Sequence, residues 1–236
     1  MVAVEAINFA KEAVDFLKEN TQYSFTQYEN WFSSFNTELE TNPTVVNSND
    51  ITFESPLTQQ NLPTFSSFLT NFPKRGTNGN YSAMSTSDTY TLVGGSLLNS
   101  HINQNAQYNN ACALRASRGL LYSGIQIPVL KYNGSQRTQK GGDGKNYILD
   151  AVSFNTYMIA KFGETSTKLE GAEANDPVKV AALLDGKNGI YVIVNSNTTT
   201  AGYSGHCDII INGECISNAY TTPRGGVKSI RIWPLN

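Results

Sequence analysis

Cysteine, histidine, tryptophan and methionine are scarce: the 236 residues hold 3 Cys, 2 His, 2 Trp and 3 Met. No cysteines stand in the close pairs that build a zinc finger or ribbon, so no metal is expected. Charge is thin as well. Lys and Arg number 17, Asp and Glu 19, together 15% of the chain, with a net charge of −2. A nucleic-acid binder needs a basic face to neutralise phosphates, and this balance supplies none. It equally excludes a polybasic membrane-surface protein. No run approaches the roughly 20 apolar residues that cross a bilayer, so no membrane partner is expected. The opening segment carries Glu5, Glu12 and Asp15 inside its apolar pattern, unlike a secretory signal with a basic start and an unbroken apolar stretch. If such a chain works outside its producing cell, it leaves by a route that reads no signal peptide.

What is present suits a sizeable core: 39% hydrophobic residues, including 12 Tyr and 11 Phe. Val4, Ile7, Ala10, Val14 and Leu17 recur at helical spacing, predicting an amphipathic helix over 2–20. Residues 1–60, helix plus polar loop, read as an N-terminal extension, and 61–236 as the main domain. Thr64 is placed to cap a short helix that Pro73 stops. Residues 74–110 show little periodicity and read as loop. Helices are expected over 112–121, 153–162 (closed by Gly163) and 177–184, the last with Pro177 in its first turn. Strands follow at 190–195, 206–211, 214–220 and 227–233, with Asn212-Gly213 as a two-residue hairpin turn. Helices first and antiparallel strands after give an α+β class.

A free thiol with a histidine is the smallest kit for thiol catalysis. Cys112 stands where a helix should begin, and a helix N-terminus favours the thiolate. His206 follows Gly205 at the start of a strand. On those residues alone, a buried structural cysteine and a satisfied histidine are the commoner state.

The local strings say more. Asn110-Ala111-Cys112-Ala113-Leu114-Arg115-Ala116-Ser117 resembles the nucleophile motif of the type VI secretion amidase effectors, family four. The same order continues through Leu120-Leu121, Ser123-Gly124 and Ile127-Pro128, then Lys187-Asn188-Gly189-Ile190-Tyr191-Val192, Gly205-His206 and Asn212-Gly213. Pro63-Thr64-Phe65 and Val93-Gly94-Gly95 match upstream, and Ile232-Trp233-Pro234 at the end. The resemblance covers 62–236, and nothing before residue 60 joins it. It implies a papain-like, NlpC-type peptidase fold, with the nucleophile at a helix start packed on an antiparallel sheet. The activity implied is cleavage of peptidoglycan stem peptides at the γ-D-glutamyl–meso-diaminopimelate amide, without a cofactor. Cys112 would be the nucleophile, His206 the base, and the Cys112 N–H an oxyanion donor. The implied partners are a cognate immunity protein and the type VI apparatus, and the place of action is a target bacterium's periplasm. Alternatives are a housekeeping or phage-type cell-wall peptidase of this fold, or a binding module that has lost activity.

For the third catalytic residue, alignment on Asn212-Gly213 puts Asn218 where the family has an aspartate. An Asn accepts a hydrogen bond from an imidazole without charge. Asp208 and Ser217 are the rivals: Asp208 shares His206's strand face but stands apart along it, while a regular hairpin puts Ser217 on the His206 face and Asn218 on the other. The family often carries a disulfide here, which makes Cys207–Cys215 the candidate bond. The same register points those sulfurs to opposite faces unless a bulge intervenes. His101, in an Asn-rich loop, is read as a surface residue. Lys131, Arg137, Lys140 and Lys145 form a basic string read as a solvated loop or an anionic-substrate contact.

Overall fold

The computed structural model describes residues 50–103, 108 and 110–236. All of them lie in the second of two units, Thr41–Asn236. The helix expected over 2–20 lies outside the described residues.

The chain opens with β1 (Ile51–Phe53), α1 (Phe65–Asn71), the hairpin β2 (Lys74–Thr77) and β3 (Asn80–Ala83), then α2 (Thr86–Val93) and α3 (Gly95–Ile102). Next come α4 (Cys112–Tyr122), the short strands β4 (Leu130–Tyr132), β5 (Ser135–Gln136), β6 (Thr138–Lys140) and β7 (Asn146–Ile148), and α5 (Ala151–Phe162). β8 (Lys168–Glu170), α6 (Pro177–Leu184), β9 (Gly189–Asn195), α7 (Thr198–Ala201), β10 (Gly205–Ile211), β11 (Glu214–Cys215) and β12 (Val227–Pro234) complete it. The class is α+β, with a five-stranded antiparallel sheet ordered β11-β10-β9-β12-β8 beside three smaller ones.

Local chemistry explains the helix ends. Thr64 Oγ1 accepts the Ser67 N–H at 3.2 Å and starts α1. Asp176 accepts from Val178 N–H at 2.9 Å and starts α6 with Pro177 in the first turn. Asn212 and Gly213 both take positive φ, 50° and 89°, as the tight hairpin between β10 and β11 requires.

The sheet is covered on both faces. β9 is buried throughout. Its Ile190, Val192 and Val194 join a core with residues of α4 and α5, and its Tyr191 and Ile193 join a second core with Val180 of α6. That explains why its sequence is a continuous apolar run rather than an alternation. Each such side chain contributes about 1.5–3 kcal/mol relative to exposure.

Three expectations need correction. Within 74–110, expected as loop, residues 74–77 and 80–83 form a hairpin and 86–93 and 95–102 form helices. The buried positions of α2 are Thr86, Thr89, Tyr90 and Val93, a helical spacing that the threonines conceal. The returning strand expected over 214–220 stops at Cys215. The body also starts before residue 61, because Ile51–Phe53 pairs with Leu130–Tyr132.

Candidate active site

Cys112 is the first residue of α4, and Asn110 Oδ1 accepts its backbone N–H at 2.9 Å. The first turn of α4 carries no acidic residue, so the helix N-terminus keeps its preference for negative charge. Cys112 is 3% exposed. It meets the end of β10, where His206 and Cys207 stand side by side, both buried.

The Cys207 thiol, hydrogen-bonded to Cys112, is the main cause that holds the Cys112 thiol well below its usual range. Burial pushes the other way, and the His206 hydrogen bond and charge add to the lowering. Burial alone would lower His206. The Asp208 carboxylate and the Cys112 sulfur outweigh it and raise the ring to about 9. Both directions favour the charged forms, thiolate and imidazolium, over the neutral ones.

The other ring nitrogen is held from below. His206 Nε2 lies 2.9 Å from Ser217 Oγ, and Ser217 Oγ–H donates to Asp208 Oδ2 at 2.6 Å. Asp208 is itself fixed, accepting Ser217 N–H at 2.9 Å and Ile209 N–H at 2.8 Å. Because Ser217 gives its proton to the carboxylate, its oxygen accepts from His206, and Nε2 carries the hydrogen. Nδ1 is left for the thiol. Direct contact between Nε2 and Asp208 Oδ2 is longer, 3.6 Å. Asp208 therefore acts on the ring mainly through Ser217.

Asn218 is not in this chain of contacts. Its Oδ1 accepts the Tyr220 N–H at 2.9 Å. β11 leaves the ladder after Cys215, so the hairpin never extends far enough to set Asn218 opposite β10. Cys207 and Cys215 are both free. The register Ile210↔Cys215 is the one that separates their sulfurs, and no bulge repairs it. His101 is half-buried rather than a surface residue: Nδ1 lies 2.8 Å from Tyr108 O, and the ring stacks on Tyr90 at 4.6 Å. The basic string is dispersed. Arg137 pairs with Asp150 at 2.9 Å and Lys145 lies over Tyr122, while Lys131 and Lys140 sit in β4 and β6.

Two tyrosines escaped the sequence reading. Tyr220 takes φ +51°, its ring is 4.4 Å from His206, and Tyr203 meets it edge-on at 6.0 Å. A positive φ at a tyrosine has no sequence signature. Among the described residues, no group of His, Cys, Asp and Glu is placed to hold a metal ion.

The family model for type VI secretion system amidase effector protein 4 matches residues 108–233, more than half of the chain. Among solved structures, the Tae4 effector from Enterobacter cloacae superposes with a TM-score of 0.57 at 20% identity, covering 76% of this chain and 100% of that one. The Tae4–Tai4 effector–immunity complex from Salmonella Typhimurium gives 0.56 at 21%, covering 75% and 100%. At such identity the likeness is one of fold, papain-like and NlpC-type. Among curated proteins no sequence match is found.

Proposed function

The chain belongs to the amidase effector 4 family of the type VI secretion system, and from that premise we propose that it is a cysteine amidase cutting peptidoglycan stem peptides at the γ-D-glutamyl–meso-diaminopimelate amide. One observation carries the reading: a buried cysteine at a helix start whose acidity His206 helps to raise, with the His206 ring tied at Nε2 through Ser217 to Asp208.

The chemistry follows from that geometry. His206 Nδ1 holds the proton of Cys112, and the thiolate attacks the amide carbonyl carbon. The Cys112 backbone N–H, which otherwise donates to Asn110 Oδ1, helps hold the developing oxyanion. The His206 imidazolium then protonates the departing amine of diaminopimelate, leaving a thioester on Cys112. A water that gives its proton to His206 attacks the thioester and frees the D-glutamyl carboxylate. Ser217 and Asp208 keep Nε2–H in place through both halves, so the ring always offers Nδ1 to the reacting side.

The solved complex of a Tae4 effector with its immunity protein Tai4 supports a cognate immunity protein for this chain too. Delivery by the type VI apparatus puts the target in the periplasm of another bacterium. The test is direct. Purified sacculi incubated with the protein release cleaved stem peptides, and the Cys112→Ala variant releases none above background. Equal release by both would overturn the proposal.

A further inference from the structure

The segment after β11 is tied down residue by residue. Ile216 N–H donates to Ile209 O at 3.3 Å, and Ile216 O accepts Ala83 N–H at 3.3 Å. Ser217 is bound to Asp208 through both its N–H and its hydroxyl. Ala219 O accepts the hydroxyl of Tyr191, a buried residue of β9, at 2.5 Å. Asn218 Oδ1 accepts the Tyr220 N–H at 2.9 Å, a turn in which an asparagine fixes the backbone two residues on. At the end of this run Tyr220 takes φ +51°, a left-handed conformation that a side chain as bulky as tyrosine rarely adopts. Such a residue persists only where its surroundings impose it, and such positions cluster at functional sites.

What that conformation delivers is a ring against His206. The two ring centroids are 4.4 Å apart, tilted at 56°. Tyr203 backs the Tyr220 ring edge-on at 6.0 Å, and Tyr203 is itself held where its carbonyl accepts Asn195 Nδ2 at 2.9 Å. One short segment therefore grips His206 twice, at Nε2 through Ser217 and at the ring through Tyr220. We propose that Tyr220 is a positioning residue of the reaction, its ring, backed by Tyr203, steadying the His206 imidazole and stabilising the imidazolium formed in turnover. The role rests on Cys112 and His206 being the catalytic pair proposed above.

The two grips do different things. A hydrogen bond at Nε2 fixes one point of the imidazole and leaves it free to tilt about that point. An aromatic ring packed against it removes the tilt. A cation within about 6 Å of an aromatic centroid is also stabilised by the ring, more so where water is kept out, and His206 is 6% exposed. Both effects belong to the ring of Tyr220 and not to its hydroxyl. Asn218 finds its place here as well. It does not touch the imidazole, but it fixes the backbone of the residue that does.

The test compares three substitutions in the full chain. Tyr220→Phe keeps the ring, Tyr220→Leu keeps apolar bulk without it, and Tyr220→Asn suits the left-handed backbone with neither. One readout is kcat and KM for cleavage of soluble stem peptides. The other needs no substrate: the rate at which iodoacetamide labels the Cys112-containing peptide in mildly acidic buffer, followed by mass spectrometry. The leucine and asparagine variants should lose about tenfold in kcat with KM little changed, and label Cys112 more slowly by a similar factor, the order of one cation–π contact out of water. Phenylalanine should restore both. Melting curves identify a variant that fails to fold, and either of the two ringless variants suffices. A folded ringless variant that keeps both wild-type rates, whatever its melting temperature, would overturn the proposal. So would a phenylalanine variant as slow as leucine, because the hydroxyl would then carry the effect. A wild type that releases no stem peptide while its labelling still follows the ring defeats the amidase reading alone. Release by the wild type with both rates indifferent to the ring defeats only the role of Tyr220.

Discussion

At the scale of single residues, the decisive contact is the serine between His206 and Asp208. Cutting a hydrogen bond to a group that is charged during turnover costs about 1.5–3 kcal/mol, or roughly 10–100-fold in rate. Ser217→Ala should therefore lower kcat by that factor on sacculi, with KM little changed. Asp208→Asn should do more, because it also removes the charge that raises His206 to about 9. Its alkaline limb of activity should move to lower pH, towards the ordinary imidazole value. An Asp208→Asn profile with its alkaline limb still near 9 would show that the carboxylate does not hold the ring. That Cys112 and His206 would meet was legible from the motif order. The residue behind them was not, because alignment to a family string counts positions and cannot see where a strand stops. The alternation of side chains along the hairpin did place Ser217 on the His206 face. It failed only in treating the return strand as continuing to Tyr220.

At the scale of elements, the site depends on β10 lying flat against β9 at its first residue. Gly205 has φ +149°, and a Cβ there would stand 2.0 Å from Ile193 O. That oxygen is backbone in the central strand and has no room to move. Gly205→Ala should cost on the order of 1–3 kcal/mol in strain, lowering Tm by roughly 2–10 °C for a chain of this size. It should also reduce activity beyond what stability explains, because His206 is the next residue. An unchanged melting curve would mean the strand end accommodates the methyl group. The glycine was read from sequence as part of a motif, and its reason appears only in the ladder. Helix ends were legible because each has a local chemical cause, such as Thr64, Pro177 or Gly163. α2 was not, since threonines occupy part of its buried face, and α3 was not, since it buries only Leu97. β8 was missed because it is three residues long.

At the scale of the whole molecule, the sheet buried between two cores keeps the thiol–imidazole pair dry, and this gives the pair a signature in stability as well as rate. His206 taken alone has a folded value raised from 6.5 to about 9. Its contribution is complete below pH 6.5 and is lost as pH rises through about 9. Cys112 taken alone has a folded value depressed from 9.0. Its contribution is complete above pH 9 and is lost as pH falls towards the depressed value. Between 6.5 and 9 one grows as the other fades. Counting protons gives the same result: the folded pair holds one proton as thiolate and imidazolium, and the unfolded chain holds one as thiol and neutral imidazole. The difference in unfolding free energy between the wild type and a Cys112→Ala/His206→Ala double variant should therefore be flat from pH 6.5 to 9. Below 6.5 the unfolded histidine takes up a second proton that the folded pair refuses, and the difference should move against the wild type. Denaturant unfolding at several pH values measures it. A slope across the neutral range would mean that the pair changes its proton count on folding, and so is not held as thiolate and imidazolium.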